Sequence, residues 1–438
     1  MTTQAVPSKM GRSKAQMLVA TAGRMAGGLA TFIILARYLG PEQFGVIAAA
    51  IAYSTLAGIA SDYGLVAYST RSGGASPQNA AQIVTYALRA KFVLVGGLLC
   101  LGGILLLVTQ PLYRFPIYSL VFLGTLAASF ADLALVVVRV AGRFDVEAKL
   151  VTVASIGWLL IVGIAAAITH DALWSAVAYC VSRSLYLLGC LFALHPWLSL
   201  KLEKFSIAEI GATLRSASTY AVDSMLTTFS SQIDVFLFGA LMSARAFGIY
   251  QAGGRLVQVV LPFAVVLSTV YLPRLSSASA QKNDREFAIL SRSVTIEFTT
   301  LAILAAAGFA IVGPILTRLL YGDPYAQLVP LWYGFAVFAM LRLVAAGLGI
   351  QLVAIGEIRT RIGNQVISIV VFVAATWICL PIWGLEGSSW ILAASAIPSF
   401  TLMAWGVATH VRDIRLIAAV SAIVILCGGS VVAAAMFL

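Results

Sequence analysis

Long apolar segments recur along the whole chain and constrain this protein more than any other feature of its sequence. Each is about as long as the roughly 20 residues that an α-helix needs to cross the hydrocarbon core of a bilayer. Of the 438 residues, 61% are hydrophobic and only 10% are charged, which excludes a water-soluble globular protein. The sequence therefore predicts an all-α, polytopic membrane protein. We predict thirteen spans, at about 15–37, 44–66, 81–108, 116–138, 149–168, 172–194, 213–240, 246–272, 290–312, 326–350, 361–381, 387–409 and 414–437.

The lysine and arginine residues indicate how these spans are oriented. With the N-terminus in the cytoplasm, 20 of the 28 basic residues fall in the cytoplasmic set, which includes Arg89 and Lys91, and only 4 face outward. Cytoplasmic loops of membrane proteins carry such an excess of Lys and Arg. We therefore expect a cytoplasmic N-terminus. The basic excess orients the chain, so nucleic acid is not expected as a partner.

The polar stretches divide the chain nearly in half. The longest lie at about 195–212 and 273–289, both on the predicted cytoplasmic side. Within the first, Ser206 and Glu209 have the spacing of a helix-capping box, and the residues around them predict an amphipathic surface helix. The predicted organisation is an N-terminal six-helix lobe (1–198), a cytoplasmic linker (199–212), a C-terminal six-helix lobe (213–412) and an additional transmembrane helix (413–438).

The sequence contains no pattern typical of an enzyme, a metal site or a cofactor site. It has no phosphate-binding loop, and its three histidines lie at the ends of spans. The five cysteines lie in apolar segments without paired spacing. Asp145 and Glu147 could hold a metal only beside a soluble domain, and their loop is short, so we interpret them as solvated loop residues. We expect no catalytic residues, no metal and no cofactor.

Four arginines interrupt the predicted spans: Arg24, Arg183, Arg255 and Arg342. Each costs about 2.5–3.5 kcal/mol at the bilayer centre even on the lenient insertion scale, so these side chains are not expected to face lipid. At helical spacing they belong to polar stripes. The stripes are Thr21, Arg24, Gly28 and Thr31; Thr125, Ser129 and Asp132; Ser175, Tyr179, Arg183 and Tyr186; Ser216, Tyr220, Asp223, Thr227, Ser230 and Asp234; and Gln251, Arg255 and Gln258.

Two interpretations of these stripes remain open. Arginine–aspartate pairs and hydroxyl groups hold helices together in many membrane bundles. Alternatively, the stripes line a water-filled cavity with a slightly cationic surface, which would suit an anionic ligand. Five striped spans in one apolar chain favour the cavity.

Two stretches of the sequence resemble a known family. Residues 36–65 begin with Ala-Arg-Tyr-Leu-Gly-Pro-Glu-Gln-Phe-Gly and end with Asp62-Tyr63-Gly64-Leu65, and residues 233–255 begin with Ile-Asp-Val-Phe-Leu-Phe-Gly. Both are similar to polysaccharide flippases of the multidrug/oligosaccharidyl-lipid/polysaccharide exporter superfamily. The resemblance covers most of residues 15–409. It implies two six-helix lobes related by pseudo-two-fold symmetry and forming a V, and a thirteenth span departs from the twelve or fourteen that are usual there.

The resemblance also implies a function. Arginines of the first and eighth spans, here Arg24 and Arg255, would meet a lipid-linked pyrophosphate. We hypothesise that Arg183 assists them in a flippase for an undecaprenyl-pyrophosphate-linked oligosaccharide, with membrane lipids, a polysaccharide polymerase and a chain-length regulator as partners. Sugars would contact Gln251, Gln258, Tyr53 and Tyr179, while Asp223, Asp234 or Asp132 would carry a coupling ion or pair with the arginines.

Three other functions are compatible with parts of the sequence. The first is an ion-coupled multidrug exporter of the same superfamily, which an acidic cavity would favour. The second is a membrane polysaccharide polymerase, ligase or glycosyltransferase, although the outward loops are short for such enzymes. The third is a peptidoglycan-precursor flippase, which matches the N-terminal motif less well.

Overall fold

The computed structural model of the chain describes residues 6–109, 111–198, 207–410 and 414–437. All regular secondary structure in these ranges is helical, so the predicted all-α class is confirmed. Short 3-10 helices at Pro77–Asn79, His195–Trp197 and Asp323–Leu328, and a π-helix at Thr317–Tyr321, connect the longer elements. The α-helices are α1 Val6–Asp62, α2 Leu65–Ala75, α3 Ala80–Thr109, α4 Phe115–Ala134, α5 Val136–Val140, α6 Phe144–Thr169, α7 Ala172–Leu194, α8 Ile207–Leu241, α9 Ala244–Val257, α10 Leu261–Ala280, α11 Asp284–Leu316, α12 Leu331–Ala354, α13 Ile358–His410 and α14 Ile414–Phe437.

Within the described residues, nine helical segments are long and apolar enough to cross a membrane. Two of them, Gly23–Ala75 and Gly363–Thr409, are much longer than the roughly 20 residues of one crossing. Each contains a glycine with a non-helical backbone, Gly40 (φ 72°, ψ 170°) and Gly384 (φ 55°, ψ −138°). Each segment therefore holds two predicted spans. The remaining two predictions, 213–240 and 414–437, fall on α8 and α14, which have shorter apolar stretches.

Helix starts follow local sequence signals. The Asp171 carboxylate accepts hydrogen bonds from the backbone N–H groups of Leu173 and Trp174 and caps α7. Ser243 caps α9 in the same way. The Asp323-Pro324 sequence begins a short 3-10 helix, and α12 starts at Leu331.

The helices group into two compact units, unit 1 (Met1–Phe236) and unit 2 (Leu237–Leu438). The division falls inside α8. The part of α8 up to Phe236 belongs to unit 1, because it packs on α1 and α2. For example, the Arg71 guanidinium of α2 donates to the Tyr220 hydroxyl of α8 at 2.7 Å. The lobe boundaries at 198/199 and 212/213 stay predictions. Of the predicted amphipathic linker, 199–206 lie outside the described residues and 207–212 form the first turns of α8.

A close backbone contact positions α8 on the turn between α1 and α2. Gly64 adopts a left-handed conformation (φ 69°), and a Cβ atom there would lie 2.5 Å from the backbone nitrogen of Ala221. Only glycine provides both this conformation and this approach without strain. The Asp62-Tyr63-Gly64-Leu65 sequence is therefore explained by local geometry.

Candidate functional site

Unit 1 brings together two of the predicted site residues, Arg24 of α1 and Asp132 of α4. Two guanidinium nitrogens of Arg24 donate to the two carboxylate oxygens of Asp132, at 3.1 and 3.5 Å. The Tyr186 hydroxyl of α7 donates to the same carboxylate at 2.9 Å. We call these three residues the Arg24 cluster. Asp132 thus neutralises Arg24. Of the two roles considered for this aspartate, carrying a coupling ion or pairing with an arginine, the contact corresponds to the second.

The Arg24 cluster is only partly covered by protein. The Arg24 side chain is 53% exposed and that of Asp132 is 34% exposed. Because charges in contact with hydrocarbon are costly, the open side of such a pair faces water or a polar ligand rather than lipid tails. The cluster therefore has the surroundings expected of a polar site within a membrane bundle.

Arg183 lies about one helical turn from Tyr186 on α7, in a different environment. Its guanidinium carbon is 3.9 Å from the ring centroid of Trp158 on α6 and 5.1 Å from that of Tyr179. Such cation–π contacts stabilise an arginine without cancelling its charge. The Tyr179 hydroxyl is in turn 3.1 Å from the Thr125 hydroxyl of α4. We call Arg183, Trp158, Tyr179 and Thr125 the Arg183 cluster.

The two clusters differ in net charge. Among the described residues, Arg183 forms no ion pair and no hydrogen bond with a carboxylate. Arg24 has such a partner in Asp132. The uncompensated positive charge of this part of unit 1 is therefore at Arg183.

Lys91 of α3 is a site residue that the sequence analysis missed. Counted there among the orienting cytoplasmic charges, it is instead fully buried, with 0% exposure. Its ammonium group donates to the Asp62 carboxylate at 3.1 Å and to the Ser129 backbone carbonyl at 3.0 Å. These contacts compensate the cost of removing the Lys91 ammonium group from water. They also connect α3 to α1 and α4. The sequence pattern of α3 does not reveal this pair, because Asp62 lies 29 residues earlier in the chain, on another helix.

Tyr53, predicted to contact sugar, packs among aromatic side chains of unit 1. Its ring centroid is 6.1 Å from that of Tyr118 and 5.5 Å from that of Phe236. Asp234 lies on α8 and is partly buried. The side chain of Asp223, on the same helix, lies outside the described residues. The roles proposed for these three residues stay predictions.

Three predicted site residues lie on α9 of unit 2 or directly after it. The Arg255 guanidinium donates to the side-chain oxygen of Gln258, its neighbour one turn later, at 3.4 Å. Gln251 is only 1% exposed. Its neighbour Ala252 accepts a hydrogen bond from the Tyr321 hydroxyl through its backbone carbonyl at 2.9 Å. Unit 2 thus brings Arg255 and Gln258 into contact and buries Gln251 beside them.

The interior of unit 2 also contains a neutral hydrogen-bond network. The Ser291 hydroxyl donates to the side-chain oxygen of Gln351 at 2.7 Å, and the Gln351 amide nitrogen donates to the Thr295 hydroxyl at 2.8 Å. All three residues are buried. This network joins α11 to α12 without formal charge.

Asp145 and Glu147 are occupied by neighbouring arginines. Arg143 donates to Asp145 at 3.0 Å, and Arg139 forms an ion pair with Glu147. Within the part of the chain that the structure describes, no three His, Cys, Asp or Glu residues group as metal ligands would.

Comparison with known families gives one match. A family model described as "Polysaccharide biosynthesis protein" matches residues 34–330, more than half of the chain. The matched range includes α4, α6 and α7 with the Arg183 cluster, and α9 with Arg255. No curated protein sequence matches the chain.

Solved structures share the fold at low sequence identity. The inward closed conformation of the lipid II flippase MurJ has a TM-score of 0.72 at 13% identity, covering 96% of this chain and 97% of MurJ. An inward-facing multidrug resistance MATE family transporter of the MOP superfamily has a TM-score of 0.63 at 14% identity, covering 91% and 95%. The Vibrio cholerae MATE transporter VcmN in its bent form has a TM-score of 0.52 at 15% identity, covering 94% and 99%. These similarities establish the fold.

Proposed function

Because the chain belongs to the polysaccharide biosynthesis protein family, we propose that it moves an undecaprenyl-pyrophosphate-linked oligosaccharide from the cytoplasmic to the periplasmic leaflet. The observation that carries this proposal is the presence of arginines inside an otherwise apolar helical bundle, with Arg183 on an aromatic surface in unit 1. A pyrophosphate is an anion that such groups bind, and guanidinium groups match phosphate geometry well.

In this proposal the site residues divide by chemistry. Arg24, Arg255 and Arg183 hold the pyrophosphate, and Gln251, Gln258, Tyr53 and Tyr179 contact sugar. Asp132 pairs with Arg24, and its carboxylate competes with the substrate for that arginine. Asp223 and Asp234 either carry a coupling cation or proton or pair with arginines in the course of alternating access.

The cellular setting is part of the same proposal. The protein lies in the bacterial inner membrane with its N-terminus in the cytoplasm, as the distribution of Lys and Arg predicts. It works beside a polysaccharide polymerase and a chain-length regulator, because the flipped oligosaccharide must be polymerised.

Replacement of Arg255 tests the proposal. In a strain that lacks the chromosomal gene, plasmid-borne wild-type protein should restore surface polysaccharide, and Arg255→Ala should abolish it at an equal protein level. Arg245→Ala is the matched control, since Arg245 is an exposed arginine at the start of the same helix. Normal polysaccharide with Arg255→Ala would remove this residue from the site.

The gene deletion itself tests the function. We expect lipid-linked oligosaccharide to accumulate in the cytoplasmic leaflet when the gene is absent. Unchanged surface polysaccharide in the deletion strain would contradict a flippase for this pathway. Loss of drug efflux in that strain would favour the exporter alternative, and loss of peptidoglycan precursor translocation would favour the other flippase class.

A further inference from the structure

Two N–H donors of the Arg183 cluster are buried without acceptors. They are the Nε atom of Arg183 and the Nε1 atom of Trp158, and among the described residues neither has a hydrogen-bond partner. Trp158 is itself 9% exposed, so its indole N–H is shielded by the surrounding helices. The two residues are in direct contact, with the guanidinium stacked on the indole ring.

Buried N–H groups without acceptors are uncommon in folded proteins, because each loses its hydrogen bonds to water and gains none. The indole N–H of Trp332, by contrast, donates to the Thr317 hydroxyl at 2.8 Å. Single unsatisfied atoms, such as the Nε atom of Arg114, occur elsewhere among the described residues. At Trp158 and Arg183, two residues in direct contact each have an unsatisfied donor. A molecule that supplies acceptor oxygens would satisfy both.

The positive charge of Arg183 determines which kind of hydrogen-bond acceptor fits the cluster. Arg183 retains its positive charge, since tryptophan and tyrosine rings surround it and Asp132 is bound to Arg24. A neutral acceptor would leave this charge uncompensated in a region of low dielectric constant. An oxyanion compensates the charge and accepts from both N–H groups.

The position of the Arg183 cluster along its helices agrees with a site for a molecule that crosses the bilayer. Arg183 lies about 16 Å along α7 from Ala172, and Trp158 lies about 16 Å along α6 from Thr169, at a rise of 1.5 Å per residue. Half the thickness of a hydrocarbon core is about 15 Å. Both donors are thus near the middle of their spans, where an anion crossing the bilayer meets the highest barrier.

We propose that Trp158 and Arg183 form an oxyanion subsite in unit 1, in which the indole and guanidinium N–H groups together bind a phosphate or carboxylate group of the transported molecule. Trp158 is assigned as a ligand-binding residue. The subsite rests on the proposed function only for the identity of its ligand. The pyrophosphate of the lipid carrier and the carboxylate of an acidic sugar have the required chemistry.

Binding of small oxyanions to the purified full-length protein tests the subsite. The unfolding temperature in detergent is measured against increasing inorganic pyrophosphate and, separately, glucuronate, with chloride at matched ionic strength as the reference. A ligand that binds only the folded state raises this temperature. We expect stabilisation by at least one oxyanion, with roughly tenfold weaker binding in Trp158→Phe, the loss expected for one hydrogen bond to a charged group.

A second variant guards against a folding defect at Trp158. Arg183→Lys keeps the charge but loses the Nε donor and the planar stacking group, so binding should weaken by a similar factor. Trp174→Phe and Arg143→Lys are matched controls, because both residues are exposed and lie outside the cluster, and they should bind as the wild type does. The unfolding temperature of each variant without ligand shows whether it is folded.

The outcomes separate the subsite from the proposed function. Stabilisation by pyrophosphate alone identifies the carrier phosphate as the ligand, and stabilisation by glucuronate alone identifies an acidic sugar. If neither oxyanion stabilises the wild-type protein, or if folded Trp158→Phe and Arg183→Lys bind as well as the wild type, the subsite is overturned. A wild-type protein that binds an oxyanion but flips no lipid-linked oligosaccharide would retain the subsite and lose the proposed function.

Discussion

Polar groups inside the two units are stabilised by different kinds of contact. Unit 1 contains formal charges: Arg24 with Asp132, Lys91 with Asp62, and Arg183 on Trp158. The network of Ser291, Thr295 and Gln351 in unit 2 is neutral, buried and hydrogen-bonded. A neutral network stabilises the bundle at little electrostatic cost, whereas charges require compensation. Among the described residues, Arg24 and Lys91 are compensated by carboxylates, whereas Arg183 is not, so we infer that Arg183 serves a ligand.

The largest effect on stability is expected where a charge of unit 1 is fully buried. Asp62→Asn leaves the Lys91 ammonium without a carboxylate, and breaking a buried pair from one side costs about 3–5 kcal/mol. The measurement is the free energy of unfolding in detergent. The double variant Lys91→Met/Asp62→Asn removes both charges and should recover most of the loss. If Asp62→Asn alone is as stable as the wild type, Lys91 is not dependent on this pair.

A packing variant of unit 1 tests how strongly its stability depends on close packing as well as on charge. Gly64→Ala places a methyl group 2.5 Å from the Ala221 nitrogen in a left-handed conformation. The conformation costs roughly 1–2 kcal/mol and overpacking about 1–3 kcal/mol, so a loss of about 2–5 kcal/mol is expected. Gly74→Ala is the control, because a Cβ there meets no atom within 4 Å. Equal stability of the two variants would refute the close contact with α8.

The neutral network of unit 2 should cost less to break. Gln351→Leu removes the acceptor of the Ser291 hydroxyl and the donor to Thr295 while preserving volume. Leaving such groups unsatisfied costs about 1–3 kcal/mol. Surface polysaccharide should remain normal once protein levels are matched. Loss of transport in a well-folded Gln351→Leu variant would show that this neutral network takes part in transport and does not only stabilise unit 2. Gln281→Ala, at an exposed glutamine, should change neither property.

The smallest effect is expected at the exposed charges of unit 1. Arg143 and Asp145 form an ion pair whose side chains are 53% and 38% exposed. Exposed pairs are screened by water and salt, so Arg143→Gln should leave the unfolding temperature and surface polysaccharide unchanged. A clear loss of stability would show that charge in unit 1 matters wherever it lies, and that burial is not the deciding factor.

The sequence predicts the helical class, the spans and the polar faces because these depend on periodicity within one segment. The break at Gly40 and the stripe through Tyr179, Arg183 and Tyr186 are examples. The partners across helices are not encoded in one segment's pattern. Lys91 was counted as an orienting cytoplasmic charge because its carboxylate lies on another helix. Trp158 lies in an apolar segment, and its unsatisfied N–H is visible only in three dimensions.

Transport of labelled substrate in reconstituted vesicles most directly tests the contrast between the charged Arg183 cluster and the neutral network of unit 2. The measurement is the rate at which an undecaprenyl-pyrophosphate-linked oligosaccharide with a fluorescent label reaches the opposite leaflet, where a membrane-impermeant quencher detects it. Wild-type protein and Gln351→Leu should flip the substrate at similar rates per folded molecule, and Arg183→Gln should be inactive while remaining folded. Transport by Arg183→Gln at the wild-type rate would contradict the assignment of Arg183 to the ligand-binding site.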